Sequence, residues 1–177
     1  MRLAVYAAAL TFAFVAQTTS FHFTRGAVPW PDLALILLVF GGLRLGKMGG
    51  VKLGLVTGLA EDMLSYGVLG ANTFSKSLIG FGVGKLRDDL VSDSITSRAL
   101  FTAVATAVDT MAYAKLSQVF TGHAAFPSIV ATVVSCAAVN ALFALPVMGA
   151  MEWAEEKAVS FGDTGPTGRY GSTPSLD

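Results

Sequence analysis

Residues 99–151 read ALFTAVATAVDTMAYAKLSQVFTGHAAFPSIVATVVSCAAVNALFALPVMGAM, 53 residues with two charges, Asp109 and Lys115. A helix that crosses a bilayer needs roughly 17–25 mostly apolar residues, so this run is long enough for two. Outward from it, residues 3–21 hold no charge, and further apolar windows lie between the two stretches. Over the whole chain of 177 residues 14% are charged, where a soluble domain carries roughly 25%. That excludes an ordinary soluble enzyme or binding domain and points to one polytopic domain whose solvent is the lipid bilayer. Twelve Lys+Arg balance twelve Asp+Glu, so the charge gives no reason to expect a nucleic-acid partner.

Six segments are expected, at about 3–21, 28–46, 48–68, 70–86, 97–120 and 124–153, together forming a transmembrane domain over 1–158. They are rich in Ala, Val, Leu and Gly without strict alternation, which favours helices over barrel strands. The fold class is therefore an all-α, six-transmembrane-helix bundle. The first segment follows Arg2 and is read as a retained helix: its uncharged run of 19 residues exceeds a usual signal-peptide core, and no clean A-x-A site follows. Pro146 is expected to kink the last segment. Residues 159–177, polar and rich in Gly and Pro, are expected to be a disordered cytoplasmic tail. With a cytoplasmic N-terminus, that side holds Arg2, Arg44, Lys47, Lys52, Lys85, Arg87, Arg98, Lys157 and Arg169. The other side holds Arg25 alone. Cytoplasmic loops carry the excess of Lys and Arg, so both termini are assigned to the cytoplasm and the chain to an inner-type membrane, multi-pass.

Gly46, Gly50, Gly54 and Gly58 recur every four residues, and Gly80 and Gly84 repeat the spacing. Small residues let transmembrane backbones approach closely. Gly54, Gly58, Gly70, Gly80 and Gly84 are read as helix-packing positions, either inside the bundle or against a partner or a second copy, and Gly46 as part of the preceding loop. Ionisable residues inside the segments are costly in hydrocarbon and should face the bundle interior or a polar cavity. Glu61 and Asp62 fall on the third segment, Lys76 on the fourth, Asp109 and Lys115 on the fifth. Asp62 and Lys76 reach equal depths, roughly 9 Å below the outer surface, and are expected to pair. Asp32 opens the second segment from outside, Lys115 lies in the outer half, and Asp109 is expected alone near the centre. Asp32, Glu61, Asp62, Lys76 and Lys115 thus make an outward-leaning pocket or partner-binding site, or a structural ion pair closing the bundle. His22 and His123 are assigned to external loops.

No catalytic site is expected: no Ser/His/Asp arrangement, HExxH, P-loop or dinucleotide fingerprint occurs. Adjacent acids such as Glu61 and Asp62 point about 100° apart on a helix and form no dyad. Two histidines and the single Cys136 give no metal-ligand spacing, and no cofactor is expected.

Pro31-Asp32-Leu33-Ala34-Leu35, followed by Gly41-Gly42-Leu43-Arg44-Leu45-Gly46, then by Gly54 to Asp62 and Leu69-Gly70-Ala71-Asn72, resembles the rod shape-determining protein MreD family of bacteria. The first stretch looks like that family's PDLxL motif and Gly54–Asp62 like its glycine-rich G-x3-GLxxD stretch. Asp32, Gly58, Asp62 and Gly70 match the pattern by position. The resemblance implies a non-catalytic scaffold of the cell-elongation complex that binds the bitopic membrane protein MreC. It would thereby help couple MreB filaments to the peptidoglycan polymerase and transpeptidase and maintain cell shape. Such proteins are similar in fold to the S components of energy-coupling-factor transporters. The competing reading is therefore a vitamin-binding S component, with Ala4-x3-Ala8 as its docking face.

Overall fold

The computed structural model describes residues 2–24, 30–65, 69–87, 95–122 and 128–163. Among these residues the structure is all-helical: α1 (Arg2–Thr24), α2 (Leu33–Leu64), α3 (Ala71–Leu86), α4 (Ile95–Thr121) and α5 (Ile129–Asp163). Five elements stand where six segments were expected, because the second and third are joined in α2. Gly46 sits inside it at φ 73°, ψ −169°, a conformation open essentially to glycine alone. The chain reverses there without a loop. Asp32, just before α2, and Glu61, near its end, both lie against the ammonium of Lys76, at 2.7 and 3.1 Å. A straight helix would hold those two residues about 44 Å apart. α2 is therefore two antiparallel arms, 33–45 and 47–64.

The first arm is the centre of the molecule. Residues 34–42 are buried on every side, as a run of Ala, Leu, Ile, Val and Phe with no polar face requires. Around it pack Tyr6, Leu10 and Ala13 from α1, Ile79 and Val83 from α3, and Ala105 from α4, with Ala144 and Met148 from α5. The second arm lies against α3 along the glycines. A methyl group on Gly50 would overlap the carbonyl of Gly80, one on Gly54 the carbonyl of Lys76, and one on Gly58 the backbone of Thr73. Gly84 closes the register against Gly46 and Lys47. The glycine stripe is thus occupied by the chain's own α3, with backbone meeting backbone.

Outside, the pattern inverts: Phe12, Met48, Met63, Phe74, Val119 and Val130 are all exposed. Leu33–Leu64 and Ile129–Ser160 are long and apolar enough to cross a membrane. Both ends of the described chain lie toward the Gly46 end, since Tyr6 packs beside Phe40 and Glu152 pairs with Arg44. Two boundaries differ from expectation. α5 runs through Pro146 to Asp163, so residues 159–163, assigned to the tail, are helical. Residues 164–177 and His123 lie outside the described residues, and His22 falls within α1 rather than in a loop.

Candidate functional site

Asp32 ends the stretch before α2 and caps it: its Oδ1 accepts from the Leu35 amide at 2.8 Å, satisfying one of the helix's orphan donors. The same oxygen accepts from Gln17 Nε2 of α1 at 3.1 Å, and its Oδ2 accepts from Lys76 Nζ at 2.7 Å. The Asp32 amide donates to Asn140 Oδ1 of α5 at 2.8 Å, and Asn140 Nδ2 donates to Thr106 Oγ1 of α4 at 2.9 Å. Thr106 in turn donates to the Thr102 carbonyl at 2.7 Å. Every helix therefore contributes to one polar network around the aspartate of the Pro31–Leu35 stretch.

Lys76 is the hub. Its side chain is 0% exposed, and its Nζ lies within ion-pair distance of three carboxylates: Asp32, Glu61 at 3.1 Å and Asp109 at 3.2 Å. Ser75, the preceding residue, donates to Asp109 Oδ1 at 2.6 Å. The three carboxylates retain 26%, 20% and 12% of their side-chain exposure, so the acids are partly exposed and the cation between them is fully buried. Fully ionised, the cluster carries two more negative charges than positive. In a medium of low polarity such a surplus weakens each ion pair, although each member is individually partnered.

Three expectations about this site are corrected. Asp62 does not pair with Lys76; Glu61 does. Asp62 instead caps α3, accepting from the amides of Gly70, Asn72 and Thr73 at 3.0, 3.1 and 3.0 Å and from Thr73 Oγ1 at 2.6 Å. Gly70 takes φ 92° at the cap position and offers no side chain, so the remote carboxylate supplies the acceptor. The physical reason is the helical turn of about 100° per residue. Asp62 is one turn after Gly58 and shares its face on the α3 backbone, whereas Glu61 turns toward the bundle interior. Asp109, expected to be alone, is bonded to both Ser75 and Lys76.

Lys115 is exposed on α4 and is not among the groups around Lys76. Six residues beyond Asp109 turn the helix by about 600°, which carries it to another face. Gln17, Ser75, Thr106 and Asn140 were not singled out from the sequence; Asn140, a lone amide within the apolar run 133–145, was the signal available. Gly54, Gly58, Gly80 and Gly84 all lie in the α2–α3 seam, and Gly70 sits at the α3 cap. The arrangement holds six chain segments together; among the described residues no group of His, Cys, Asp and Glu is spaced to hold a metal ion.

The model of one family, rod shape-determining protein MreD, matches residues 1–158. No curated protein and no solved structure matches the chain.

Proposed function

Because the chain belongs to the MreD family of rod shape-determining membrane proteins, we propose that it is a non-catalytic scaffold of the bacterial cell-elongation complex. It spans the inner membrane as a six-helix bundle, the two arms of α2 counting as two spans, with both termini in the cytoplasm. It binds an MreC-like bitopic membrane protein and through it helps couple MreB filaments to the peptidoglycan polymerase and transpeptidase. The family match over residues 1–158 carries this reading.

The polar network supports a scaffold over an S component. A small-molecule site needs convergent polar groups left free for the ligand, and here the lysine and two of its three carboxylates are used on one another and on neighbouring helices. Such closed networks fix one arrangement of helices, which suits a protein whose product is an assembly. Co-purification of the full chain with the MreC-like protein in mild detergent tests the reading. Retention of the partner is expected; loss of the partner together with micromolar binding of a vitamin supports the S component instead.

A further inference from the structure

At the Gly46 end the cations are of two kinds. Arg44 and Arg98 both donate to Glu152 Oε1, each at 2.8 Å, so the two share one carboxylate of α5. Lys47, Lys85 and Arg87 are exposed, and among the described residues none of the three forms an ion pair. The fold brings them to one corner. Gly84 packs on Gly46 and on the Lys47 amide, and Arg87 Nη1 reaches back to the Arg44 carbonyl at 3.1 Å. Among the described residues the acids of this end, Glu152, Glu155 and Glu156, line the α5 side with Arg44, so the described charges of the α2–α3 corner are cationic, with Asp88 and Asp89 following Arg87 in the sequence.

The surface beside those cations is apolar rather than polar. Leu45, Met48 and Leu86 are exposed there. On α5, Trp153 is 63% exposed with the Lys157 ammonium 6.0 Å from its ring centre. An exposed indole, methylene-rich side chains and unpaired cations at one level match the chemistry of the bilayer interface. A soluble acidic protein surface would not call for the apolar rim.

We propose that the α2–α3 corner binds the phosphate of anionic phospholipid headgroups, with Lys47, Lys85 and Arg87 taking the phosphate and Leu45, Met48 and Leu86 the adjoining acyl methylenes. The inference rests on the membrane reading and is independent of the MreC-like partner, which the experiment omits. Native mass spectrometry of the detergent-purified full chain, titrated with phosphatidylglycerol or phosphatidylcholine, provides the test. The parent should retain phosphatidylglycerol preferentially, and each Gln substitution at the three positions should weaken retention roughly fivefold, since a basic residue near an anionic surface contributes about that factor. Lys85→Arg should keep the preference, and unchanged helix content by circular dichroism verifies that each variant is folded. If either of the other Gln variants does not fold, Lys85→Gln alone decides. Equal retention of the two lipids by the parent, or an unchanged preference in a folded Gln variant, overturns the proposal. So does displacement of the lipid by equimolar inorganic phosphate, which indicates a soluble-anion site, or by polyglutamate, which indicates a protein partner.

Discussion

Lys76 is outnumbered, and that imbalance makes the three acids unequal. Asp32 is also held by Gln17 and the Leu35 amide, and Asp109 by Ser75. Glu61 has Lys76 alone among the described contacts. Removing the cation leaves three carboxylates facing one another, so Lys76→Met is expected to cost about 3–5 kcal/mol. Glu61→Gln keeps the shape and lowers the surplus of negative charge, so it should be neutral within about 1 kcal/mol or stabilising. Adding Glu61→Gln to Lys76→Met should recover part of the loss. Unfolding of the purified protein in detergent measures all three, and an equal cost for the two single changes would sink this account of the cluster. The sequence made the members legible, because a charge in an apolar run is expensive and needs a reason. It did not make the partners legible, because Glu61 and Asp62 differ by only about 1.5 Å in depth and are separated by rotation. Gly58 held the missing information: a residue one turn beyond a packing glycine faces the same neighbour, and Asp62 does. Neutral Gln17 and Ser75 cost less than a charge in an apolar segment and therefore gave less signal.

At the scale of elements, the glycines divide by what surrounds them. A methyl on Gly54 would overlap the Lys76 carbonyl and lie 2.7 Å from the Ser77 Cα, backbone that cannot step aside. Gly82 and Gly149 have open space where a methyl would go. Gly54→Ala should therefore push α3 off the second arm at a cost of about 1–3 kcal/mol. It should also disturb the Lys76 cluster, since the residue it strikes is Lys76 itself. Gly149→Ala should stabilise, by up to about 1 kcal/mol, through helix propensity alone. Thermal unfolding of the two variants separates these outcomes; similar shifts for both would show that the seam is not tightly packed. This division was only half visible beforehand. The four-residue spacing marked Gly50, Gly54, Gly58, Gly80 and Gly84 as packing positions, yet spacing alone did not say whether α3, a second copy or another protein would fill the groove. The reversal at Gly46 was legible as a break between two apolar runs. Its tightness was not, because a left-handed glycine and a short loop leave the same trace in composition. The end of α5 was missed for a related reason: residues 159–163 are polar enough for a tail, and they continue a helix whose start is fixed by packing further back.

The whole molecule has a basic end and an acidic heart, and the two lie at different depths. From Gly46 to Glu61 the second arm rises about 22 Å, so a turn at one interface of a hydrocarbon core about 30 Å thick leaves the Lys76 cluster in the far half. Tyr6 beside Phe40 and Glu152 beside Arg44 put both ends of the described chain at the basic end, as an even number of crossings requires. The clustering of Arg44, Lys47, Lys85, Arg87 and Arg98 there would make that end cytoplasmic under the positive-inside rule. Reporter fusions after Lys47, Arg87 and Lys157 are then expected to read as cytoplasmic, and fusions after Gly70 and Gly122 as external. The informative position is Gly70. α2 as a single straight span would make Lys47 part of the crossing and put Gly70 on the side opposite the N-terminal end of that helix, whereas two arms return it to the same side as Asp32. A fusion after Arg25 supplies the reference for that side. Agreement between Arg25 and Gly70, with Lys47 opposite, is the outcome that the reversal at Gly46 demands; a cytoplasmic signal at Gly70 with an external one at Arg25 would mean that α2 crosses once and that the six-helix arrangement is wrong.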